Sequence, residues 1–169
     1  MRLKSYSDII INTYPYHKYL NSKILEESKQ FEWDKGRQQV GGNISNVIAY
    51  KTVDRVITSP NIEIIYDWIK SIINECFPDF NWKIYHGWLA KYSKGEYAIS
   101  HHHCPFPFSF VYFIHSPKGS SPLIFSHSGK RIKPDEGKVI LFPGNLSHEV
   151  PKCKIHGRMI LSGNFYFNT

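Results

Sequence analysis

Three consecutive histidines, His101, His102 and His103, lie between two segments that the sequence predicts as β-strands. Side chains along a strand alternate between its two faces, so His101 and His103 are expected on one face and His102 on the other. Two imidazoles placed in this way, about 6–7 Å apart at Cα, can bind one metal ion. The stretch therefore predicts a metal site that takes a third ligand from elsewhere in the chain.

His148, in the segment LFPGNLSHEV, is the best candidate for that third ligand. It follows a Pro-Gly turn, on a predicted strand that could face the first one across a barrel. Neutral imidazoles suit Fe(II), Zn, Cu or Ni, and the ligand types alone do not choose among these metals. The alternative is that the three adjacent histidines form only a solvated polar turn.

Arg158 begins a segment whose period-two pattern predicts a strand. One face of that strand carries Arg158, Ile160, Ser162 and Asn164. If this face is the interior, a guanidinium is buried beside the metal, and a buried arginine needs a carboxylate partner. No Asp or Glu occupies an inward position on the neighbouring predicted strands, so a ligand carboxylate could be held bidentately with help from the Ser162 hydroxyl. The alternative is that Arg158 points outward.

Length and composition favour one domain over residues 1–169, with a real hydrophobic core. The formal charge of +7 comes from scattered lysines and arginines, which argues against a nucleic-acid partner. Cys76, Cys104 and Cys153 fit neither a disulfide framework nor a C-x-x-C zinc site. The sequence shows no signal peptide and no apolar run of membrane-spanning length, which predicts a cytoplasmic protein without a membrane partner. The oligomeric state is open.

The N-terminal part predicts one strand and one helix. A short apolar run at residues 8–11 predicts the strand, and apolar residues at helical spacing over residues 17–31 predict an amphipathic helix. Residues 32–58 are polar, and Gly41-Gly42 within them predicts a loop.

The sequence carries clear signals for both ends of a second helix. Ser59 can cap its N-terminus, Pro60 suits its first position, and it should end before Pro78. Its core-facing stripe is Ile62, Ile65, Trp68, Ile69, Ile72 and Ile73.

The rest of the chain predicts strands and turns. The predicted strands are 82–91, 96–103, 109–115, 123–126, 138–142, 148–153 and 158–167. Two helices followed by seven strands indicate an α+β fold, in which the strands close into a cupin-like jelly roll, or double-stranded β-helix, supported by the two N-terminal helices.

The ordered set of motifs resembles the Fe(II)- and 2-oxoglutarate-dependent oxygenase superfamily, and within it the small prolyl-hydroxylase-like group of phage and bacterial members. The similarity covers about residues 82–167. The matching parts are Trp88, Tyr92-x-x-Gly95-x-Tyr97, His101-x-His103, Ser109-x-Val111-Tyr112-Phe113, Pro134-x-x-Gly137-Lys138-x-Ile140-x-Phe142-Pro143, His148-x-Val150, and Arg158 with Ser162 and Asn164.

The resemblance implies that His101 and His148 are iron ligands and that His103 occupies the position of the usual Asp or Glu. The usual set of two histidines and one carboxylate leaves open positions for 2-oxoglutarate and oxygen. Three neutral histidines leave the ion its full positive charge and alter its redox chemistry. His-x-His occurs in the short group that the chain resembles, which favours a variant site; zinc occupancy without turnover stays open.

The resemblance also implies a co-substrate site. Arg158 would bind the far carboxylate of 2-oxoglutarate with help from Ser162, and Tyr92 would contact the co-substrate. Phe113 falls where many hydroxylases have another tyrosine, and its neighbour Tyr112 should face outward.

The implied activity is that of a dioxygenase, a hydroxylase that uses Fe(II), 2-oxoglutarate and O2 on an organic substrate. The substrate is a small molecule or a peptide, with peptidyl and free amino acids among the candidates, because fold and cofactor do not fix it. One alternative is a three-histidine cupin-like metalloenzyme that does not use 2-oxoglutarate. The other is a non-catalytic jelly roll, either metal-binding or recruiting an acidic or nucleic-acid partner.

Overall fold

Antiparallel β-strands form most of this computed structural model, which describes residues 9–35 and 46–168. The strands are β1 Ile10–Thr13, β2 Trp33–Lys35, β3 Val47–Ile48, β4 Tyr50–Thr52, β5 Asn81–Tyr92, β6 Tyr97–His101, β7 Phe108–His115, β8 Leu123–Phe125, β9 Lys130–Ile132, β10 Lys138–Pro143, β11 His148–Val150 and β12 Arg158–Asn168. The helices are α1 His17–Glu27, which is followed by a 3-10 turn Ser28–Gln30, and α2 Pro60–Cys76.

The strands form two sheets. The larger sheet has the order β1-β10-β7-β12-β5-β4-β2, and the smaller has the order β3-β6-β11-β8-β9. This architecture confirms the predicted α+β jelly roll with two supporting helices. That residues 1–169 form a single domain stays a prediction.

Strand β12 separates two hydrophobic cores because its side chains alternate between its faces. Met159 and Leu161 join the core that contains the buried faces of α1 and α2. Ile160 joins the second core, to which both sheets contribute residues. The helices therefore cover one face of the larger sheet, and its other face meets the smaller sheet.

Helix α2 begins and ends as the sequence predicts. The Ser59 hydroxyl accepts a hydrogen bond from the Ile62 backbone N–H at 3.2 Å, and Pro60 occupies the first helical position. The helix ends at Cys76, before Pro78. Its isoleucine stripe is buried, so this helix is held by apolar contact with the larger sheet. No helix in the described part of the chain is long and apolar enough to cross a membrane.

Four short strands were not predicted. Strands β2, β3 and β4 fall within residues 32–58, which the sequence predicts as polar loop, and β9 is Lys130–Ile132. Each has only two or three residues, too few for a period-two pattern to emerge. The predicted loop at Gly41-Gly42 lies outside the described residues.

A buried polar contact holds α1 against the larger sheet. The Asn21 side-chain amide donates to the Ile114 carbonyl of β7 at 2.7 Å, and its carbonyl oxygen accepts from the Tyr112 hydroxyl at 2.7 Å. Both side chains are buried. Because buried polar groups are stable only when they are paired, this contact fixes where α1 lies on β7, next to β12.

We expect Asn21→Ala to destabilise the protein by about 2–4 kcal/mol, because it leaves the Tyr112 hydroxyl and the Ile114 carbonyl buried without partners. Urea unfolding measures the change in the free energy of unfolding. Ser22→Ala, at an exposed neighbouring position, is the matched control and should change stability by less than about 0.5 kcal/mol. An Asn21→Ala variant as stable as the parent would contradict this account of the contact.

Candidate metal centre

Two of the three candidate ligands are cross-strand neighbours. His101 is the last residue of β6 and His148 is the first residue of β11, and the antiparallel register places them opposite each other. Side chains directly opposite in an antiparallel pair are in contact range, and here the ring centres are 4.5 Å apart. The register of a single strand pair thus brings together residues 47 positions apart in the chain.

His103 joins them from the loop after β6. Its backbone N–H donates to the Gly144 carbonyl at 2.7 Å, so the chain leaves the β6–β11 ladder at this point. The predicted strand 96–103 is therefore wrong at its end, since β6 stops at His101. The His103 ring centre nevertheless lies 5.1 Å from that of His101 and 5.0 Å from that of His148.

One ring nitrogen from each of the three histidines lies within 4.8 Å of the others. The Nε2 atoms of His103 and His148 are 3.3 Å apart. Nitrogens that bind the same ion at about 2.1 Å each are separated by about 3–3.4 Å. The spacing of this pair therefore fits a shared metal ion.

Two of the rings are oriented by backbone carbonyls. Nδ1 of His101 is 2.7 Å from the Ile99 carbonyl oxygen, and Nδ1 of His148 is 2.9 Å from the Leu146 carbonyl oxygen. A protonated Nδ1 donates to each carbonyl, which leaves the Nε2 lone pair for a metal.

Burial keeps the three imidazoles neutral. It lowers the pKa of His103 to about 3 and that of His148 to about 4, and it lowers the pKa of His101 below its ordinary value. Neighbouring histidines add to the lowering because each disfavours a second positive charge. The neutral imidazole is the form that binds metal, so no proton competes for these nitrogens near neutral pH.

His102 lies outside this group. Its side chain is exposed, and its Nδ1 accepts a hydrogen bond from the Cys104 backbone N–H at 3.2 Å. The structure therefore separates His102 from the group that contains His101 and His103, as predicted. His103, however, is positioned by the loop after β6 and not by the strand.

Arg158 is fully buried and points between the sheets, so the alternative of an outward-facing arginine is wrong. Its guanidinium carbon lies 4.6 Å from the Tyr92 ring centre and 5.6 Å from that of Phe113. None of its three guanidinium nitrogens has a hydrogen-bond partner, and no carboxylate of residues 9–35 or 46–168 forms an ion pair with it. A buried guanidinium without a counter-charge is costly, and an oxyanion supplied by a ligand would relieve that cost.

The other predicted co-substrate residues surround this arginine. Tyr92 is buried, and burial raises the pKa of its hydroxyl while the charge of Arg158 opposes the rise. The Ser162 hydroxyl donates to the Phe110 carbonyl at 2.9 Å, so it must release that carbonyl before it can assist an anion. Phe113 faces the inter-sheet core, and Tyr112 faces the helices, where it is buried rather than exposed.

Two cavities meet at the three histidines. The inner one, of about 20 Å³, is lined by the triad together with Tyr92, Ile160 and Ser162. It has room for about one water molecule, so a larger ligand requires its walls to move apart. The outer one, of about 690 Å³, is an open cleft. His101 and His103 line both, so these two histidines lie between the small cavity and the open cleft.

Sequence reasoning missed most of the outer cavity. Its lining includes Lys51, Asp54, Arg55, His86, Phe106 and Asn164. Lys51 belongs to the unpredicted strand β4, and Arg55 follows it in a segment that the sequence predicts as loop. Only the pairing of β4 with β5 brings these cations to the triad, and no local pattern signals that pairing.

The fold recurs in solved structures. The viral collagen prolyl hydroxylase of Paramecium bursaria Chlorella virus-1, solved as a 2-oxoglutarate complex, superimposes with a TM-score of 0.67 at 16% identity, over 95% of this chain and 96% of that one. A Pseudomonas putida prolyl-4-hydroxylase gives 0.67 at 15% identity, over 95% and 93%. HygX from Streptomyces hygroscopicus, solved with nickel, 2-oxoglutarate and hygromycin B, gives 0.71 at 10% identity, over 94% and 82%.

The chain therefore has the fold of the 2-oxoglutarate- and Fe(II)-dependent oxygenases. No protein-family model and no curated protein matches its sequence. The likeness is one of structure, and the ligands of these neighbours bear on this chain only through the residues that it places at the corresponding cavity.

We expect His102→Ala to retain the metal content of the parent and His101→Ala to abolish it. Of these two residues, only His101 contributes a nitrogen to the converging group. The measurement is metal content by elemental analysis after loading with Fe(II) under anaerobic conditions. His102 serves as the matched control, since it is the adjacent histidine. Equal metal loss in both variants would overturn the assignment of the converging nitrogens.

Proposed function

We propose that the chain is a Fe(II)- and 2-oxoglutarate-dependent dioxygenase that hydroxylates an organic substrate. The observation that carries this proposal is the buried Arg158, whose guanidinium lacks a counter-charge and packs on Tyr92, a residue that lines the small cavity at the three histidines. The described residues provide metal-binding nitrogens and a cation for a carboxylate, which is the pair of functions that an iron-chelating dicarboxylate needs. The fold shared with oxygenases solved with 2-oxoglutarate supports the same reading.

His101, His103 and His148 are the proposed iron ligands. Bound iron would supply the oxygen chemistry that couples decarboxylation of 2-oxoglutarate to succinate with hydroxylation of the substrate. The residues fit the ion because one ring nitrogen from each converges with the others and two of the rings are held by backbone carbonyls. Three neutral ligands leave the ion its whole charge, which favours anionic co-ligands such as 2-oxoglutarate.

Arg158, Tyr92 and Ser162 are the proposed co-substrate residues. The planar guanidinium of Arg158 can bind the distal carboxylate through two parallel hydrogen bonds. Tyr92 packs against that guanidinium and lines the inner cavity, so it limits the positions that the co-substrate can take. Because the cavity holds only about 20 Å³, binding of 2-oxoglutarate would require the surrounding side chains to move apart.

The substrate would occupy the outer cavity. This cavity has the volume of many small-molecule sites, and it is lined by His101 and His103, which also line the inner cavity. A small molecule or the side chain of a peptide can enter such an open cleft. A cytoplasmic location and the lack of a nucleic-acid partner stay predictions of the sequence.

A three-histidine metalloenzyme that does not use 2-oxoglutarate is the second candidate. The observation in its favour is His103, which stands where the oxygenases that the chain resembles usually have a carboxylate. The unpaired Arg158 argues against it, because such an enzyme has no need for a buried cation that packs on a residue of the cavity wall.

We expect Arg158→Met to be at least as stable as the parent and to lose about 100-fold, or roughly 3 kcal/mol, in 2-oxoglutarate affinity. Methionine retains the apolar stem and removes a buried charge that has no internal partner. Thermal unfolding and titration of 2-oxoglutarate into the Zn(II)-loaded protein measure the two effects.

Arg131→Met is the matched control, since Arg131 is exposed on β9 and should affect neither quantity. An Arg158→Met variant with a sharply lower melting temperature and unchanged 2-oxoglutarate affinity would show that the arginine is structural.

We expect the parent to release succinate when iron, 2-oxoglutarate and air are supplied, and His103→Asp to retain or exceed that rate. Aspartate restores the set of two histidines and one carboxylate that open iron sites commonly use. The measurement is succinate production by both proteins with iron content determined in parallel.

His127→Asp introduces the same charge at an exposed histidine outside both cavities and should leave the parent rate unchanged. Folded, iron-loaded parent and His103→Asp proteins that both fail to form succinate would contradict the oxygenase proposal. Native activity that falls in His103→Asp without any 2-oxoglutarate turnover would favour the three-histidine alternative.

A further inference from the structure

Lys51 directs a cation into the outer cavity. It is the central residue of β4 and pairs with Ala90 of β5. Its Nζ lies 4.5 Å from the ring centre of Trp88, the residue two positions earlier on β5. The ring of Trp88 in turn lies 6.1 Å from that of His103. The ammonium group is therefore one aromatic ring away from a proposed metal ligand.

This ammonium group has no acidic partner. No carboxylate in the two described segments forms an ion pair with Lys51. Burial lowers the pKa of Lys51, because its ammonium loses water without gaining a counter-charge. Its charge also contributes to the lowered pKa values of His86, His101 and His103, which places it within electrostatic reach of the triad. An anion bound in the cavity would offset the free-energy cost of this desolvation.

A second cation, Arg55, lines the same cavity. Its Nε donates to the Tyr85 carbonyl at 3.3 Å, and its guanidinium carbon lies 3.9 Å from the centre of the Tyr85 ring. These contacts hold the guanidinium in place at an exposed position. Among the described residues of the lining, one carboxylate, Asp54, stands against the two cations, and a bound divalent metal would add further positive charge.

Aromatic and amide side chains also line the outer cavity. Trp88 and Phe106 provide flat apolar surface, and the Phe106 ring centre lies 5.3 Å from that of His86. Asn164 is buried at the inner end of this lining, where its oxygen accepts from Ser109 and its NH2 group lies 3.4 Å from His86 Nδ1. This combination suits a ligand that has a compact flat body and a charged end.

We propose that the outer cavity selects substrates that carry an oxyanion, a carboxylate or a phosphate, which pairs with Lys51 while the body of the substrate packs on Trp88 and Phe106. The identity of this ligand as the substrate rests on the proposed function. The selection for an anion rests on the cavity alone. Lys51 is then a specificity-determining residue, and Arg55 adds to the attraction at the rim.

The test compares benzoate, phenyl phosphate and the neutral benzamide, which share one flat ring. Each is titrated into the full chain loaded with Zn(II) and 2-oxoglutarate, and binding is followed by tryptophan fluorescence. The variants are Lys51→Met, which keeps the apolar stem, Lys51→Arg, which keeps the charge, and Lys130→Met as a matched control at an exposed position of β9.

We expect the parent to bind one of the anions at least tenfold more tightly than benzamide, and Lys51→Met to lose about tenfold for that anion. Lys51→Arg and Lys130→Met should stay close to the parent. The stronger of the two anions identifies the oxyanion as carboxylate or phosphate. Equal binding of anions and benzamide, no anion binding at millimolar concentration, or an anion preference that survives Lys51→Met would overturn the proposal.

Repeating the titrations in EDTA without 2-oxoglutarate separates this proposal from the proposed function. A preference for anions that depends on Lys51 in the metal-free protein supports the selection even if 2-oxoglutarate never binds. Loss of that dependence in EDTA while the loaded protein retains it would show that the metal, rather than Lys51, selects the anion, and would count against the proposal.

Discussion

The pairing of β6 with β11 is the contact on which the candidate site depends. Its register places His101 opposite His148, and a shift by one residue would turn one of the two rings to the other face of the smaller sheet. The loop that carries His103 is tied to the same region through Gly144. A Cβ at Gly144 would lie 2.0 Å from the Phe106 carbonyl oxygen, so only glycine permits this close approach. The three nitrogens converge because one short ladder and one tight backbone contact are both satisfied.

The candidate site differs from the rest of the molecule in the kind of side chain that it buries. Most buried side chains of the described residues are apolar, whereas Arg158 is buried with all three of its guanidinium nitrogens unpaired. Contacts of the guanidinium with Tyr92 and Phe113 offset part of this cost, since aromatic faces attract cations. Lys51 is half-buried, forms no ion pair with a carboxylate of the described residues, and also lies against an aromatic ring, that of Trp88. An anion bound near either cation would offset the free-energy cost of its desolvation.

Sequence reasoning succeeded where a local pattern determines the geometry. Alternation separated His102 from His101, although the loop after β6 positions His103. The period of β12 placed Arg158 on one face with Ile160, Ser162 and Asn164, but the sequence left open whether that face is the interior. Sequence reasoning failed where the position of a residue depends on pairing between strands that are far apart in the chain. Strand β4 has three residues and carries no periodic signal, so the placement of Lys51 beside Trp88 follows only from the β4–β5 contact. The end of β6 was missed for a similar reason, since a carbonyl in another loop decides it.

The alternation of side chains along β12 links the packing of the helices to the space between the sheets. Its odd-numbered residues Met159 and Leu161 pack beneath the helices, and its even-numbered residues Arg158, Ile160 and Ser162 face the space between the sheets. A rigid strand cannot move on one side alone. Repacking under the helices would therefore be transmitted through a single layer of backbone to the face that carries Arg158. The outer surface of the helices can vary freely, but their inner surface is constrained by the placement of Arg158 as well as by folding.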